Sequence, residues 1–443
     1  MFHYSLVRLV RCYSNKLDKP LRDKILRLYK PLRLTPRFVH SSIDKTMWHH
    51  QKLSVIIEFE KTNFLTQVIV MDHLLSAHNK CTVRNRFSSI FCYSADVTPD
   101  RLYELLSVFS TIKKVYLNRK IIALPKSEVY TKSSVSYKHP QHTFTGKGVT
   151  IAIVDTGVFK HDDLKGRISG FVDFINHRTE AYDDNGHGTH CAGIAAGNGH
   201  HSYGGYRGVA PEANIIGVKV LDHKGTGTIE TIIQGIEWCI NYNRENPNRP
   251  IHILSISLGI HATKYQTELD DPIVKIVEEA WRAGITVVTA AGNGGPDPYT
   301  ISSPGISEKI ITVGAMDSTH FFKEEESNTA SFSSRGPTIY GKPKPDLLAP
   351  GVDLVSLRVP GSSIDRSQKT HRVDKNYTRM SGTSMSTPFC AGVCALLIES
   401  NNQLTPNLIK RLLIDGAQAS HSGSIGQVNI EKSLHLLSKK DVL

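Results

Sequence analysis

The sequence predicts an α/β protein: a mostly parallel central sheet in a three-layer arrangement over residues 146–443, preceded by a small α+β unit at 51–124. Three observations predict it. From Gly146 onward, short continuous β-branched runs alternate with helical segments, which is the pattern of parallel strands buried on both faces. Between 53 and 124 the periodicity reads strand-helix-strand-strand-helix-strand, an order compatible with a ferredoxin-like fold. Between these regions, 125–145 is polar, carries scattered Lys, Ser, Tyr and Pro, and shows no periodicity, as a linker does. The implied organisation is a basic extension at 1–50, the α+β unit at 51–124, the linker at 125–145 and the main domain at 146–443.

Taken in order, the basic arm comes first. Residues 1–45 hold eleven Lys/Arg against three Asp, so +8 of the net +12 lies there and the remainder is only mildly basic. Such an arm reads as a solvated extension or a helix lying on the protein, with no nucleic-acid or membrane partner. Arg8 and Arg11 interrupt the first apolar stretch, and no run of seven or more apolar residues follows before any small-residue cleavage site, which argues against classical secretion. No window approaches the roughly eighteen apolar residues of a membrane span. Next, 53–60 reads as a strand, 63–77 as an amphipathic helix, 81–97 as one or two strands, 98–109 as a capped helix and 112–124 as a final strand. In the main domain, 149–154, 213–221, 251–258, 285–290 and 310–315 read as strands, with helices near 189–197, 228–243, 272–283 and 385–400. Sites in such sheets lie beyond the carboxyl ends of the strands, where Asp155 and Asn293 fall.

At 443 residues, 40% apolar and 21% charged, the chain supports one large domain and a smaller one. Its seven cysteines are an odd number, without zinc-site spacing or the density of a disulfide scaffold. Reduced thiols in a cytoplasm are the expectation.

Three segments carry the chemistry. Asp155 lies in Ile-Val-Asp-Thr-Gly (153–157), His187 in Asn-Gly-His-Gly-Thr-His (185–190) and Ser384 in Ser-Gly-Thr-Ser-Met-Ser (381–386). A serine hydroxyl is a weak nucleophile at neutral pH and needs an imidazole to take its proton and a carboxylate to orient that imidazole. Each segment alone has a plainer reading. Asp-Thr-Gly also occurs in retroviral-type aspartic proteases, but a second such tripeptide is absent here. His187 and His190 stand at zinc-ligand spacing without the Glu of the His-Glu-x-x-His arrangement, so no metal is assigned. Ser384 is not in Gly-x-Ser-x-Gly, which argues against an esterase elbow. Both His187 and Ser384 precede small or apolar helical runs, placing them at helix starts, where the macrodipole favours a neutral, proton-accepting imidazole.

The order Asp, His, Ser together with these segments resembles the subtilisin-like serine proteases, the subtilases of peptidase family S8. The likeness runs through Gly-Val-Ala-Pro (208–211), Val-Lys-Val-Leu (218–221), Gly-Ile-Glu-Trp (235–238), Ser-Phe-Ser-Ser-Arg-Gly-Pro (331–337) and Lys-Pro-Asp-Leu-Leu-Ala-Pro-Gly (344–351). It implies a subtilisin-like fold and a serine endopeptidase working through an acyl-enzyme on protein or peptide substrates, similar to the intracellular subtilases of bacilli. A catalytically silent peptide-binding module is the alternative. The resemblance gives Asp155, His187 and Ser384 the triad roles and makes Asn293, in Ala-Ala-Gly-Asn-Gly-Gly (290–295), the second oxyanion donor. Gly225, Thr226 and Gly227, with Ser257, Leu258 and Gly259, are similar to the family's two substrate-binding strands, and Ala290, Ala291 and Gly292 to a wall of its primary pocket. Ile260 and Ser386 depart from common family residues, at positions where Gly and Ala are usual. Residues 51–124 resemble the family's propeptide, which implies an intramolecular inhibitor and a zymogen cut near the linker. Cys191 matches the thiol beneath the catalytic histidine in thiol-bearing subtilases, which implies sensitivity to mercurials. No cofactor is implied; the loop 198–206, where secreted relatives often hold calcium, offers no carboxylate and does not indicate one.

Overall fold

The structure is a computed structural model that describes residues 4–62, 64–123, 143–317, 329–418 and 425–438. Contacts divide the chain into two compact units, Met1–Arg119 and Lys120–Leu443. Most of the expected linker, and residues 318–328, lie outside the described residues.

In the first unit, helices α1 (Ser5–Cys12), α2 (Lys19–Arg27) and α3 (His40–His50) precede β1 (Leu53–Phe59), α4 (Phe64–Ser76), β2 (Thr82–Phe87), β3 (Cys92–Val97), α5 (Pro99–Val108) and β4 (Ile112–Leu117). The four strands form one sheet in the order β2-β3-β1-β4, with antiparallel neighbours. The strand-helix-strand-strand-helix-strand order expected from the sequence is therefore present. Residues 1–50, expected to be a solvated extension or a surface helix, are instead part of this unit. Leu6, Leu9, Leu17, Leu21 and Ile25 are buried in the same hydrophobic cluster as Leu53, Val55 and Val115. The spacing of Leu6 with Leu9 and Leu21 with Ile25 gives each short helix one apolar face. Asp18 caps α2 through the Leu21 N–H at 2.8 Å and also accepts from Leu117 N–H of β4 at 3.2 Å, tying the arm to the sheet. The expected strand 112–124 also divides, because β5 (Lys120–Ala123) leaves this sheet and belongs to the second unit.

The second unit is built on β6 (Thr150–Asp155), β7 (Ile168–Asp173), α6 (His187–Ala196), β8 (Asn214–Lys219), β9 (Thr226–Thr228), α7 (Ile229–Glu245), β10 (Ile253–Ile256), β11 (Leu258–Gly259), α8 (Pro272–Arg282), β12 (Thr286–Ala290) and β13 (Ile311–Met316). There follow β14 (Leu347–Pro350), β15 (Leu354–Leu357), α9 (Ser363–Ser367), β16 (Tyr377–Met380), α10 (Thr383–Ser400), α11 (Pro406–Asp415) and α12 (Ile430–Ser438). Seven strands form a parallel sheet in the order β14-β13-β12-β10-β6-β8-β7. Every residue of β6, β10, β12 and β13 is buried, which explains their unbroken apolar runs. Helices flank the sheet in two packed pairs, α6 with α10 and α7 with α8. The carboxyl ends of β6, β10 and β12 deliver Asp155, Ser257 and Ala291 toward one region.

Candidate active site

Asp155 ends β6 and His187 begins α6. Both are fully buried, and His187 Nδ1 stands 2.8 Å from Asp155 Oδ1, which also accepts the Thr156 N–H at 2.7 Å. That contact demands a glycine one residue later. A Cβ on Gly188 would lie 2.2 Å from Gly157 O and 3.1 Å from the Asp155 Cβ, so any side chain would push α6 off the strand end.

A second carboxylate, unforeseen from the sequence, locks the two elements together. Asp183 Oδ1 accepts from Thr156 Oγ1 at 2.9 Å and Gly186 N–H at 2.8 Å, while Oδ2 accepts from Thr189 N–H at 2.9 Å and Thr189 Oγ1 at 2.7 Å. Thr156 Oγ1 in turn accepts the Gly188 N–H at 2.9 Å. Lys219, fully buried at the end of β8, donates to Leu221 O at 2.9 Å, Thr156 O at 2.5 Å and Asp184 Oδ1 at 2.8 Å. The signal for both lay in polar residues beside the motifs, but their partners are set by the fold.

Burial by itself would lower the pKa of His187, yet the adjacent Asp155 carboxylate prevails and raises it well above 6.5. The helix N-terminus, expected to favour the neutral ring, is thus outweighed by an ion pair at hydrogen-bond distance. His190 is different. Burial first, and then the charge of His187, push it down to about 3, and its Nε2 donates to Thr378 O at 3.2 Å. It is a neutral structural residue.

Ser384 is the second residue of α10. Its Oγ donates to Ser257 O at 3.0 Å, and its carbonyl accepts from Ser257 Oγ at 2.9 Å, a reciprocal clamp across the end of β10. Cys191 bridges base and nucleophile: its Sγ lies 3.9 Å from His187 Nδ1 and donates to Ser384 O at 3.4 Å. Burial raises the pKa of this thiol and keeps it uncharged. His187 Nε2 has no hydrogen-bond partner among the described residues, so the serine hydroxyl in this conformation is engaged elsewhere.

Asn293 faces the same helix start. Its Oδ1 accepts from Thr383 N–H at 3.0 Å and Thr383 Oγ1 at 2.9 Å, which fixes Nδ2 as the opposite, donor end of the amide. Ala290 and Ala291 are buried, and Gly292 N–H donates to Thr383 Oγ1 at 3.3 Å. Gly292 has φ +109 and a Cβ there would stand 2.3 Å from Ser302 Oγ, so glycine is required.

The two expected binding stretches are also brought together, with a strand between them. β5 pairs antiparallel with β9 on one side, Ile121 opposite Gly227 and Ile122 opposite Thr226, and Ala123 N–H donates to Gly225 O at 2.8 Å. On the other side it pairs antiparallel with β11, Ala123 opposite Leu258 and Ile122 opposite Gly259. Ile121 is buried, whereas Ile122 is 56% exposed. The arrangement can hold an extended peptide by main-chain hydrogen bonds on both edges, beside a buried carboxylate–imidazole pair and a serine at a helix start.

Comparison with known proteins agrees. Residues 146–432 match the Subtilase family, Peptidase S8. The chain is 51% identical to Serine protease AprX of Bacillus subtilis (strain 168) over 98% of this chain and 99% of that protein. It is 35% identical to Subtilisin Savinase of Lederbergia lenta over 65% of this chain and 91% of that one. Among solved structures, a cold adapted subtilisin-like serine proteinase matches with a TM-score of 0.51 and 30% identity, covering 69% of this chain and 94% of its own. Fervidolysin from Fervidobacterium pennivorans shares the fold, with a TM-score of 0.65 at 20% identity over 87% of this chain and 61% of its own. The chain therefore belongs to the subtilase family and is a subtilisin-type serine endopeptidase.

Proposed function

We propose that Ser384, His187 and Asp155 form the catalytic triad of a broad-specificity endopeptidase made as a self-inhibited zymogen. The observation that carries the reading is the strand Lys120–Ala123, an extended stretch of the chain's own backbone paired on both edges of the cleft beside Ser384. A peptide bound in the same register sets its next residue opposite Ser257 and presents its carbonyl to the serine. Rotation about χ1 takes the Ser384 hydroxyl from Ser257 O toward His187 Nε2, the unpartnered atom. His187 accepts the proton as Oγ attacks the carbonyl carbon, and Asp155 holds the ring through Nδ1 and stabilises the imidazolium. The oxyanion is stabilised by the Ser384 N–H, one of the first N–H groups of α10 that have no intrahelical acceptor, and by Asn293 Nδ2. His187 then protonates the leaving amine, and a water repeats the sequence to release the acyl group from Ser384.

The inhibitory strand is continuous in sequence with the Met1–Arg119 unit, in keeping with a propeptide role for that unit. A cytoplasmic setting is supported by seven cysteines outside any disulfide, five of them buried. No helix among the described residues is long and apolar enough to cross a membrane. No cofactor is needed by this mechanism.

Casein hydrolysis by the processed protein, abolished by a serine-directed phosphonyl reagent and by Ser384→Ala, is the expected outcome. Loss of the nucleophile from such a unit costs on the order of 10⁶ in kcat. Retention of activity in Ser384→Ala would exclude the assignment, and inactivity of every preparation would favour the silent peptide-binding module.

A further inference from the structure

The segment between β15 and β16 carries none of the motifs that the sequence offers for the chemistry. Its centre is Asp365, a buried carboxylate held by two arginines. Arg358 reaches it with Nε at 2.5 Å and Nη2 at 3.1 Å, Arg372 with Nε at 2.7 Å, and the Gly361 N–H at 2.8 Å. Arg372 Nη2 also donates to the Asp365 main-chain O at 2.7 Å, and Arg358 Nη1 to Asp374 O and Lys375 O at 3.1 Å each. The network closes the segment into a rigid loop and fixes the start of α9.

The start of α9 meets the residues that lead into the catalytic histidine. Ser363 N–H donates to Asp184 O at 3.0 Å and Ser363 Oγ to the same oxygen at 3.2 Å, while Ile364 N–H donates to Asn185 O at 3.0 Å. Gly186 lies flush against the segment, since a Cβ there would stand 2.8 Å from Ser362 Oγ. The same dipeptide is gripped from within: Lys219 holds the Asp184 carboxylate at 2.8 Å, and Asn185 Oδ1 accepts the His187 N–H at 3.2 Å. Asp184–Asn185 is thus held by its carbonyls from the insertion and by its side chains from the core.

We propose that Asp365, through Arg358 and Arg372, is a positioning residue for the hydrolytic reaction: it makes the 358–376 segment a brace that sets His187 through Asp184 and Asn185. The inference rests on His187 serving as the base. The brace grips the main chain that enters α6, and its tie toward the binding stretch is a single side-chain bond, Asn185 Nδ2 to His223 O at 3.0 Å, so loosening it affects the chemical step more than the binding of the peptide. A misplacement on the 1 Å scale is enough to cost about 10²-fold in rate.

The test compares Asp365→Asn, Asp365→Glu and Arg372→Gln with the wild type, each concentration corrected by titration of active sites with a phosphonyl reagent. The expected result is a fall in kcat of about 10- to 10²-fold in Asp365→Asn with KM within about threefold, and partial recovery in Asp365→Glu. Unchanged kcat with only a lowered thermal midpoint would overturn the proposal, because a merely structural salt bridge behaves that way. If Asp365→Asn does not fold, Arg372→Gln, which leaves Arg358 on the carboxylate, decides by the same kcat and KM criterion. Ser384→Ala run in parallel separates the two readings: activity there removes the triad assignment, whereas its loss with kcat intact in the Asp365 and Arg372 variants removes only the brace.

Discussion

At the scale of single residues, the proposed mechanism makes the Asp155–His187 pair govern the pH response, acting on activity and stability in opposite senses. The carboxylate at 2.8 Å overcomes desolvation and raises the imidazole pKa above 6.5. Base catalysis needs the neutral ring, so kcat/KM is expected to rise with pH through a midpoint above 6.5. Stability follows the reverse sign. A group whose folded pKa is raised contributes stability that is complete below its unfolded value and is lost as pH rises through the folded one. Asp155→Asn removes the charge that raises the pKa, so the acid limb moves down while kcat falls by about 10⁴-fold as the ring loses its fixed tautomer. pH–rate profiles of the processed enzyme and of this variant check both points. An acid limb at or below 6.5 in the wild type, or one that does not move in the variant, contradicts the dominance of Asp155.

At the scale of elements, the N-terminal helices show what sequence patterns conceal. In 1–45 the charge excess masks a short apolar repeat, and only the buried cluster reveals that α1 and α2 complete the core of the first unit. Leu21→Ala is expected to destabilise that unit by about 2–5 kcal/mol, the usual cost of emptying a leucine site. The exposed neighbour Lys24→Ala should stay within about 0.5 kcal/mol of the parent. Denaturant unfolding of the full Ser384→Ala chain measures both, and equal midpoints for the two variants would remove α1 and α2 from the core. The same physics explains which elements were legible elsewhere. β6, β8, β10, β12 and β13 are interior strands and read as β-branched runs, whereas β7 and β14 are the two sheet edges, one carrying Gly170 and the other Pro350, and gave no clear pattern. Of the candidate site, Asp155, His187, Ser384 and Asn293 stand out in the sequence because each sits in a short segment whose glycines are fixed by local geometry, as at Gly188 and Gly292. Asp183, Lys219 and Asp365 do not, because their roles arise from contacts between segments distant in sequence.

At the scale of the whole molecule, the strand in the cleft poses the question of why an enzyme would tolerate a peptide at its own nucleophile. On the zymogen reading proposed above, Lys120–Ala123, being part of the same chain, competes at the high effective concentration of an intramolecular ligand, of millimolar order, and excludes substrate until the tether is cut. Its sequence continues as Leu124-Pro125. In the proposed mechanism, a ligand in the register Ala123 opposite Leu258 sets its next residue opposite Ser257 and the bond following it at Ser384. By sequence count that bond is Leu124–Pro125. Its nitrogen carries no hydrogen and belongs to a ring that locks φ near −65°, a poor match to an extended leaving segment. A proline at that place in the sequence is expected to disfavour cutting at the Leu124–Pro125 bond, and first cleavage should fall beyond Pro125, within 126–145. Pro125→Ala should move the first cut to the bond after Leu124 and shorten the lag before activity appears. Mass spectrometry and N-terminal sequencing over the course of activation, in the wild type, Pro125→Ala and Ser384→Ala, distinguish the outcomes. A wild-type first cut at Leu124–Pro125 contradicts the protective role of the proline, and identical trimming in purified Ser384→Ala would show that the enzyme does not process itself.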